Sequence, residues 1–127
     1  MKLLDANVLL RYLLGEPREQ AEEARAAIEA GAFTTMEVFA EVVYVLQKVY
    51  GISRGELGEA VLAAAGELRF EDYDVLAFAL KLYRQHALDF VDCVLAARAL
   101  VQGEEVFSFD KKLMNLIEAL RSGENQS

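Results

Sequence analysis

The chain has 127 residues, of which 54% are hydrophobic and 27% charged, with a single proline. This composition predicts one globular domain and excludes a disordered or low-complexity chain. One cysteine and one histidine exclude an internal disulfide and argue against cysteine- or histidine-based metal sites and catalytic triads. The 21 acidic residues outnumber the 13 Lys and Arg, and the net charge of −8 favours a site that binds hard cations through oxygen over non-specific adhesion to nucleic acid.

Short apolar runs alternate with helical patterns along the chain, which predicts an α/β domain with a small parallel sheet. In chain order, the patterns predict a strand at 2–6, helices at 7–14 and 17–30, a strand at 32–34, a helix from the capping box 34–37 to residue 50, a helix from the capping box 53–56 to about residue 65, a strand at 68–70, a helix from Asp72 or Asp74 to about residue 86, a helix at 90–102 capped by Asp89, a strand at 105–109 and a helix at 111–120.

These elements form a single predicted domain at 1–121, followed by a polar and flexible tail at 122–127. No apolar run approaches the roughly 20 residues of a membrane-spanning helix. The start of the chain turns acidic too early for a secretory signal. We therefore expect a cytoplasmic protein that does not contact membranes.

Two aspartates directly follow predicted strands. Asp5 follows the first apolar run, and Asp110 follows the last predicted strand. Because ligand sites in parallel sheets lie beyond the carboxyl ends of the strands, we expect these two carboxylates to meet there. Taken alone, each aspartate is explained equally well as the cap of the helix that follows it.

Two further acids lie in apolar helical stretches. Glu41 has Val38 and Val45 at helical spacing and is too far into its helix to cap it, so we expect it to be at least partly desolvated. Asp92 lies among small and apolar residues in a first helical turn, where the helix dipole alone would also favour an acid. Together the four acids favour a shared metal site over four unrelated roles.

Converging carboxylates repel one another unless a cation neutralises them, and Mg²⁺ and Mn²⁺ are hard cations that prefer such oxygen ligands. A metal-bound water becomes a nucleophile near neutral pH, and a pair of such ions can clamp both sides of a phosphodiester. The acids therefore predict metal-assisted phosphodiester hydrolysis.

The segments that carry these acids resemble the PIN-domain family, specifically the small VapC-like ribonuclease toxins of toxin–antitoxin systems. The matching segments are 3–10, 35–46, 89–97 and 106–113, which contain Leu-Leu-Asp-Ala-Asn, Phe-Ala-Glu-Val-Val, Asp-Phe-Val-Asp-Cys and Phe-Ser-Phe-Asp-Lys. They occur in family order and span nearly the whole chain. No single segment is specific, but the ordered set is.

The resemblance implies a three-layer α/β/α sandwich with a central parallel sheet of four to five strands. It implies an Mg²⁺- or Mn²⁺-dependent endoribonuclease that cuts single-stranded RNA with an activated water. Asn7 would support the first acid, and Ser108 would position the last acid or a phosphate. A homodimer and a small VapB-like antitoxin are implied as well. The implied catalytic and metal-binding residues are Asp5, Glu41, Asp92 and Asp110.

Two features depart from the family pattern. Asp89 and Asp92 offer two acids where the pattern needs one, and we assign the metal to Asp92 because Cys-Val-Leu-Ala-Ala follows it. Asp89 is then a helix cap or an edge of the site. The net charge of −8 fits RNA binding poorly, so local basic groups must bind the RNA, although a solvated helix face explains Lys48 better. The candidate basic residues are Arg11, Lys48, Arg98, Lys111 and Lys112.

Two other functions compete with this interpretation. A response-regulator receiver domain also has a parallel sheet, an acidic cluster and Mg²⁺, but it needs two acids after its first strand and a phospho-acceptor aspartate at a mid-chain strand end. Here Asp5 is a lone acid after the first strand, and Glu41 lies in a predicted helix. The second alternative is a catalytically inactive PIN fold that acts as a binding module, and the complete set of four acids argues against it.

Two helical stretches, 57–68 and 75–82, carry more apolar residues than one helix face needs. Large exposed apolar patches usually mark contacts between proteins. We therefore expect the homodimer to form through these helices.

Overall fold

The computed structural model describes residues 1–123, so most of the predicted tail at 122–127 lies outside the described part of the chain. The chain divides into two compact units, one from Met1 to Tyr73 and one that begins at Asp74. The single domain expected at 1–121 stays a prediction.

The first unit contains a short parallel sheet and four helices. β1 and β2 pair in parallel with Leu3 opposite Phe33, and Arg69 adds an isolated parallel bridge to Phe33. The predicted α/β class with a small parallel sheet is confirmed, whereas four to five strands are not found among residues 1–123. The elements are β1 (Lys2–Leu3), α1 (Ala6–Leu14), α2 (Arg18–Glu29), β2 (Ala32–Phe33), α3 (Met36–Lys48) and α4 (Arg54–Gly66).

The helices of this unit follow local sequence signals. Asp5 caps α1 and Ser53 caps α4 through side chains that accept backbone N–H groups. Gly15 ends α1 at a φ of 74°, a left-handed conformation that favours glycine. α1 packs against α2, α3 and α4, so the apolar face of α1 lies at the centre of the unit.

The second unit is helical. It comprises most of α5 (Tyr73–Gln85), together with α6 (Phe90–Val101) and α7 (Lys111–Arg121), and α6 packs against α7. The ring of Tyr83 in α5 meets the ring of Phe90 edge-to-face, with centroids 5.9 Å apart. Cys93 is buried in this unit.

The strand predicted at 105–109 is wrong, because residues 104–109 take no regular secondary structure. A strand needs a neighbour for its ladder of hydrogen bonds, and residues 74–123 contain no other strand. Phe107 and Phe109 are consequently 84% and 90% exposed, and their rings contact each other edge-to-face.

The apolar surplus that predicted a dimer interface belongs largely to the core. Val61, Leu76 and Leu80 are buried, and Leu62 and Phe78 are half-buried. These residues therefore do not supply the exposed patch that the dimer prediction assumed. Separately, none of the helices within residues 1–123 is both long enough and apolar enough to cross a membrane.

Candidate active site

Asp5 lies just beyond β1 and begins the chain's first helix. Its Oδ1 accepts the backbone N–H of Val8 at 3.0 Å, so the side chain is fixed as the N-cap of α1. Asp5 remains exposed. The capping explanation and the site explanation are therefore compatible, because one carboxylate oxygen holds the helix and the other is left for a ligand.

Thr34 is a supporting residue that the sequence interpretation missed. Its side chain is only 5% exposed, and its hydroxyl donates to the carbonyl oxygen of Leu4 at 3.0 Å. This bond ties the end of β2 to the residue before Asp5. The available signal is a hydroxyl at the end of the strand predicted at 32–34, although the sequence also predicts it as the first residue of a capping box.

The N-terminal cap of α3 is Thr35, one residue later than predicted. The Thr35 hydroxyl accepts the N–H of Val38 at 3.4 Å, whereas Thr34 is occupied with Leu4. Glu37 is consequently the second residue of α3 and not the third, which a capping box requires. The predicted capping role of Glu37 is therefore wrong.

Glu41 is exposed, which contradicts the expected desolvation. The reason is helical geometry, since the buried face of α3 consists of Phe39, Val42, Val43 and Leu46. Glu41 lies on the opposite face, one turn after Glu37. The apolar neighbours in the sequence belong to the other side of the helix and do not cover its carboxylate.

Asp110 begins α7 as its N-cap. Its Oδ1 accepts the backbone N–H groups of Lys112 at 2.9 Å and Leu113 at 3.2 Å. The hydroxyl of Ser108 accepts the N–H of Asp110 at 3.0 Å. Ser108 therefore fixes the backbone that carries the Asp110 carboxylate.

Asp92 is an acid of the second unit whose pKa its surroundings raise. It is half-buried in the first turn of α6, and this desolvation is the largest cause that raises the pKa of its carboxyl. The charges of Asp110 and Asp89 raise the pKa further. The second unit thus brings the carboxylates of Asp89 and Asp110 within electrostatic reach of Asp92.

Asp89 and Asn7 are the other supporting residues that the sequence predicts. Asp89 is at the N-cap position of α6, but its side chain makes no capping hydrogen bond there. Its carboxylate contributes instead to the field at Asp92. Asn7 is exposed in the first turn of α1 and lines a cleft together with Arg11 and Lys2.

Most of the basic candidates for RNA binding are already engaged. Arg98 makes a double hydrogen bond to Glu104 at 2.7 and 2.8 Å. The Nζ of Lys112 donates to the carbonyl oxygen of Ala87 at 3.2 Å. Arg11 donates to the hydroxyl of Tyr50 at 3.3 Å.

The predicted ligands have the right chemistry for a hard cation, because all four offer carboxylate oxygens. A cation would also relieve the repulsion between the carboxylates of Asp92 and Asp110. Among residues 1–123, no three acidic, histidine or cysteine side chains are arranged to hold a metal ion. The structure brings Asp110 and Asp89 within electrostatic reach of Asp92, and Asp5 and Glu41 belong to the first unit. Convergence of all four stays a prediction.

Residues 2–118 match the family model of the PIN domain. The chain belongs to the PIN-domain family. It is also similar to the VapC ribonuclease of Aquifex aeolicus (strain VF5), with 33% identity over 124 residues that cover 91% of this chain and 92% of the relative. No solved structure matches the chain significantly.

The PIN match confirms the family resemblance drawn from the four acidic segments. It spans both units of the structure and includes all four predicted site acids. The alternative of a response-regulator receiver domain is therefore wrong. The remaining alternative, a PIN domain without catalytic activity, differs from the main prediction in chemistry and not in fold.

Proposed function

We propose that this PIN-domain chain is a metal-dependent endoribonuclease that hydrolyses phosphodiester bonds of single-stranded RNA, and that it is the toxin of a toxin–antitoxin pair. The observation that carries the proposal is the PIN match over residues 2–118, which includes every one of the four acids. The similarity to a protein named VapC ribonuclease over nine-tenths of both chains supports it.

Asp5, Glu41, Asp92 and Asp110 are the residues that would hold Mg²⁺ or Mn²⁺ in this function. When bound, such an ion supplies an activated water and charge neutralisation at the phosphodiester. The chain's own contribution is to place the oxygens. Asp5 and Asp110 are held by the helices that they cap, and Ser108 holds the backbone of Asp110.

The four acids as one metal-binding set are part of this proposal. The three-layer sandwich with four to five strands that the family resemblance implies is part of this proposal. A cytoplasmic location, where RNA is present, is also part of this proposal.

A homodimer and a small antitoxin complete the proposal. An arginine suits the role of inhibitor because its planar guanidinium can pair with two carboxylates at once. Such an arginine, presented on an apolar helix of the antitoxin, would compete with the metal for Asp92 and Asp110. Titrating the partner while following bound Mn²⁺ tests this mechanism, and full inhibition with the metal still bound would refute it.

The deciding experiment measures cleavage of an end-labelled single-stranded RNA by the purified chain, with and without excess chelator. We expect cleavage only with Mg²⁺ or Mn²⁺ present, and recovery when the ion is returned. Cleavage that continues undiminished in chelator would contradict metal dependence. RNA binding without cleavage under all ion conditions would identify an inactive PIN domain that acts as a binding module.

A further inference from the structure

A cavity of about 700 Å³ opens in the first unit where β2 and the bridged segment at Arg69 leave the sheet. Apolar side chains form one part of its wall, and charged side chains form the rest. The residues of the wall that matter here are Phe33, Met36, Glu37, Arg69, Phe70 and Asp72.

Two residues of the cavity wall are linked to the site acids of this unit. Thr34 lines it and donates a hydrogen bond to Leu4, the residue before Asp5. Glu37 lines it as well and lies one helical turn before Glu41 on the same exposed face of α3. The wall of the cavity is therefore linked to Asp5 through the Thr34–Leu4 hydrogen bond and to Glu41 through one turn of α3.

The aromatic part of the wall is rigid. The ring of Phe70 packs edge-to-face on Phe39, with centroids 4.9 Å apart and an angle of 80° between the planes. Phe39 is fully buried, so it holds Phe70 in place. Phe33 is fixed by its place in β2 opposite Leu3. Fixed aromatic rings bind planar ligands by stacking at little cost in conformational entropy.

The charges of the wall select the kind of ligand. Glu37, Glu71 and Asp72 place three carboxylates there against the guanidinium of Arg69 and the α-amino group of Met1. This excess of negative charge disfavours a phosphate inside the cavity and leaves the base as the part of a nucleotide that the cavity can take. Carboxylates accept hydrogen bonds from amino groups, and a guanidinium donates to ring nitrogens and carbonyl oxygens. A planar ring with an exocyclic amino group satisfies both.

From these contacts we infer that the cavity is a base-binding subsite for one nucleobase with an exocyclic amino group, adenine, guanine or cytosine, in the RNA strand next to the cleaved bond. The inference rests on the proposed ribonuclease function and extends it to sequence preference. Phe70 stacks on the base, Glu37 accepts from its amino group, and uracil, which has no amino group, is disfavoured.

The test maps the cut sites of the wild-type chain on a single-stranded RNA of random sequence. We expect uracil to be disfavoured at one position flanking the cut. Phe70→Leu should lower kcat/KM by about 10-fold through lost stacking. Glu37→Gln should remove most of the discrimination against uracil, because a glutamine amide can both donate and accept. Glu59→Gln, an exposed change on α4 outside the cavity wall, is the matched control.

A second measurement separates the subsite from the activity. An RNA that contains one 2-aminopurine loses fluorescence when that base stacks, and quenching by the wild type but not by Phe70→Leu is expected whether or not the strand is cut. If the wild-type chain cuts no RNA but still quenches the 2-aminopurine fluorescence, the ribonuclease function is refuted and the subsite is supported. The subsite would be overturned if wild type and Glu37→Gln cut with the same base preference. It would also be overturned if the wild type shows no base preference at any position flanking the cut.

Discussion

The two units hold their acids in different ways. In the second unit, Asp92 is half-buried beside Asp110 and Asp89, and burial and like charge both raise the pKa of its carboxyl. In the first unit, Asp5 and Glu41 are exposed, and Asp5 is held by its hydrogen bond to the N–H of Val8. The second unit therefore combines a crowded, half-buried acid with the helix cap Asp110, whereas in the first unit both site acids are exposed and Asp5 is held by local backbone geometry.

This difference separates two ways in which a carboxylate can serve a metal site. A crowded, desolvated group such as Asp92 is unfavourable without a cation, so an ion that binds there relieves repulsion. A capping group such as Asp5 is already satisfied at one oxygen and is oriented before any ion arrives. Substitutions in the two units should therefore affect activity alike and stability differently.

The largest expected effect is on catalysis at Asp92. Asp92→Asn removes a proposed metal-binding charge and should lower RNA cleavage by about 100-fold or more, since even residues behind metal ligands change affinity or activity by about 10- to 100-fold. Asp74→Asn, an exposed change at the start of α5 in the same helix bundle, is the control and should leave cleavage unchanged. Wild-type cleavage by Asp92→Asn would remove Asp92 from the site.

A pair of substitutions at Asp5 separates capping from catalysis. Serine can cap a helix but has no carboxylate, whereas alanine does neither. Both variants should lose cleavage to the same extent, and Asp5→Ala should in addition lose about 1 kcal/mol of unfolding free energy relative to Asp5→Ser. Chemical denaturation and the cleavage assay measure the two effects.

An active Asp5→Ser variant beside an inactive Asp5→Ala variant would show that Asp5 serves only as a cap. Equal stability of the two would instead show that the hydrogen bond to Val8 contributes nothing to α1.

Local patterns allowed most helices to be predicted within a few residues. Asp5, Ser53 and Asp110 act as caps where the sequence placed them, because a cap depends only on the next few residues. Contacts between distant residues could not be deduced in this way. The exposure of Glu41 depends on which face of α3 packs against other elements. Apolar residues flank Glu41 on both sides in the sequence, so the sequence pattern alone does not show which face is buried.

The strand predicted at 105–109 failed for a related reason. Alternation of apolar residues indicates a strand, but a strand forms only beside a partner, and the sequence does not say where the partner lies. Thr34 shows the opposite case, in which a local pattern suggested a cap although the hydroxyl bonds to Leu4, thirty residues away in the chain. The four site acids were found because of the resemblance to a family, not because local patterns bring them together.

Thr34 gives a stability test within the first unit. Thr34→Val keeps the shape but removes the donor to the Leu4 carbonyl, and an unsatisfied buried acceptor should cost about 1–2 kcal/mol of unfolding free energy. Thr34→Ser keeps the hydroxyl and is the matched control, with a smaller loss. Because Leu4 precedes Asp5, cleavage by Thr34→Val should fall as well. Wild-type stability of Thr34→Val would show that the bond does not support β1.

Asp92 gives a pH-dependent test in the second unit, in buffer without divalent ions. Because the pKa of Asp92 is raised in the folded state, the folded chain binds this proton more tightly than the unfolded chain does. Stability should therefore fall as pH rises from the ordinary carboxyl value of 3.8 through the raised pKa, and stay lower above it. Asp92→Asn should remove this fall and be more stable than wild type at neutral pH, and unchanged pH profiles of unfolding would contradict the proposed crowding.

The smallest expected effect concerns the link between α6 and α7. Arg98 donates two hydrogen bonds to the Glu104 carboxylate, and these bonds lower the pKa of Glu104 below 4.5. Their stabilisation is therefore present at neutral pH and is lost as pH falls through the lowered pKa. Glu104→Gln should slightly lower the Tm at pH 7, and the difference from wild type should shrink in high salt and at acidic pH because the pair lies in solvent.

Glu105→Gln, a neighbouring exposed change, controls for the lost charge. An equal loss in both variants would assign the effect to net charge, whereas a loss confined to Glu104→Gln shows that the pair holds the start of the segment leading to Asp110.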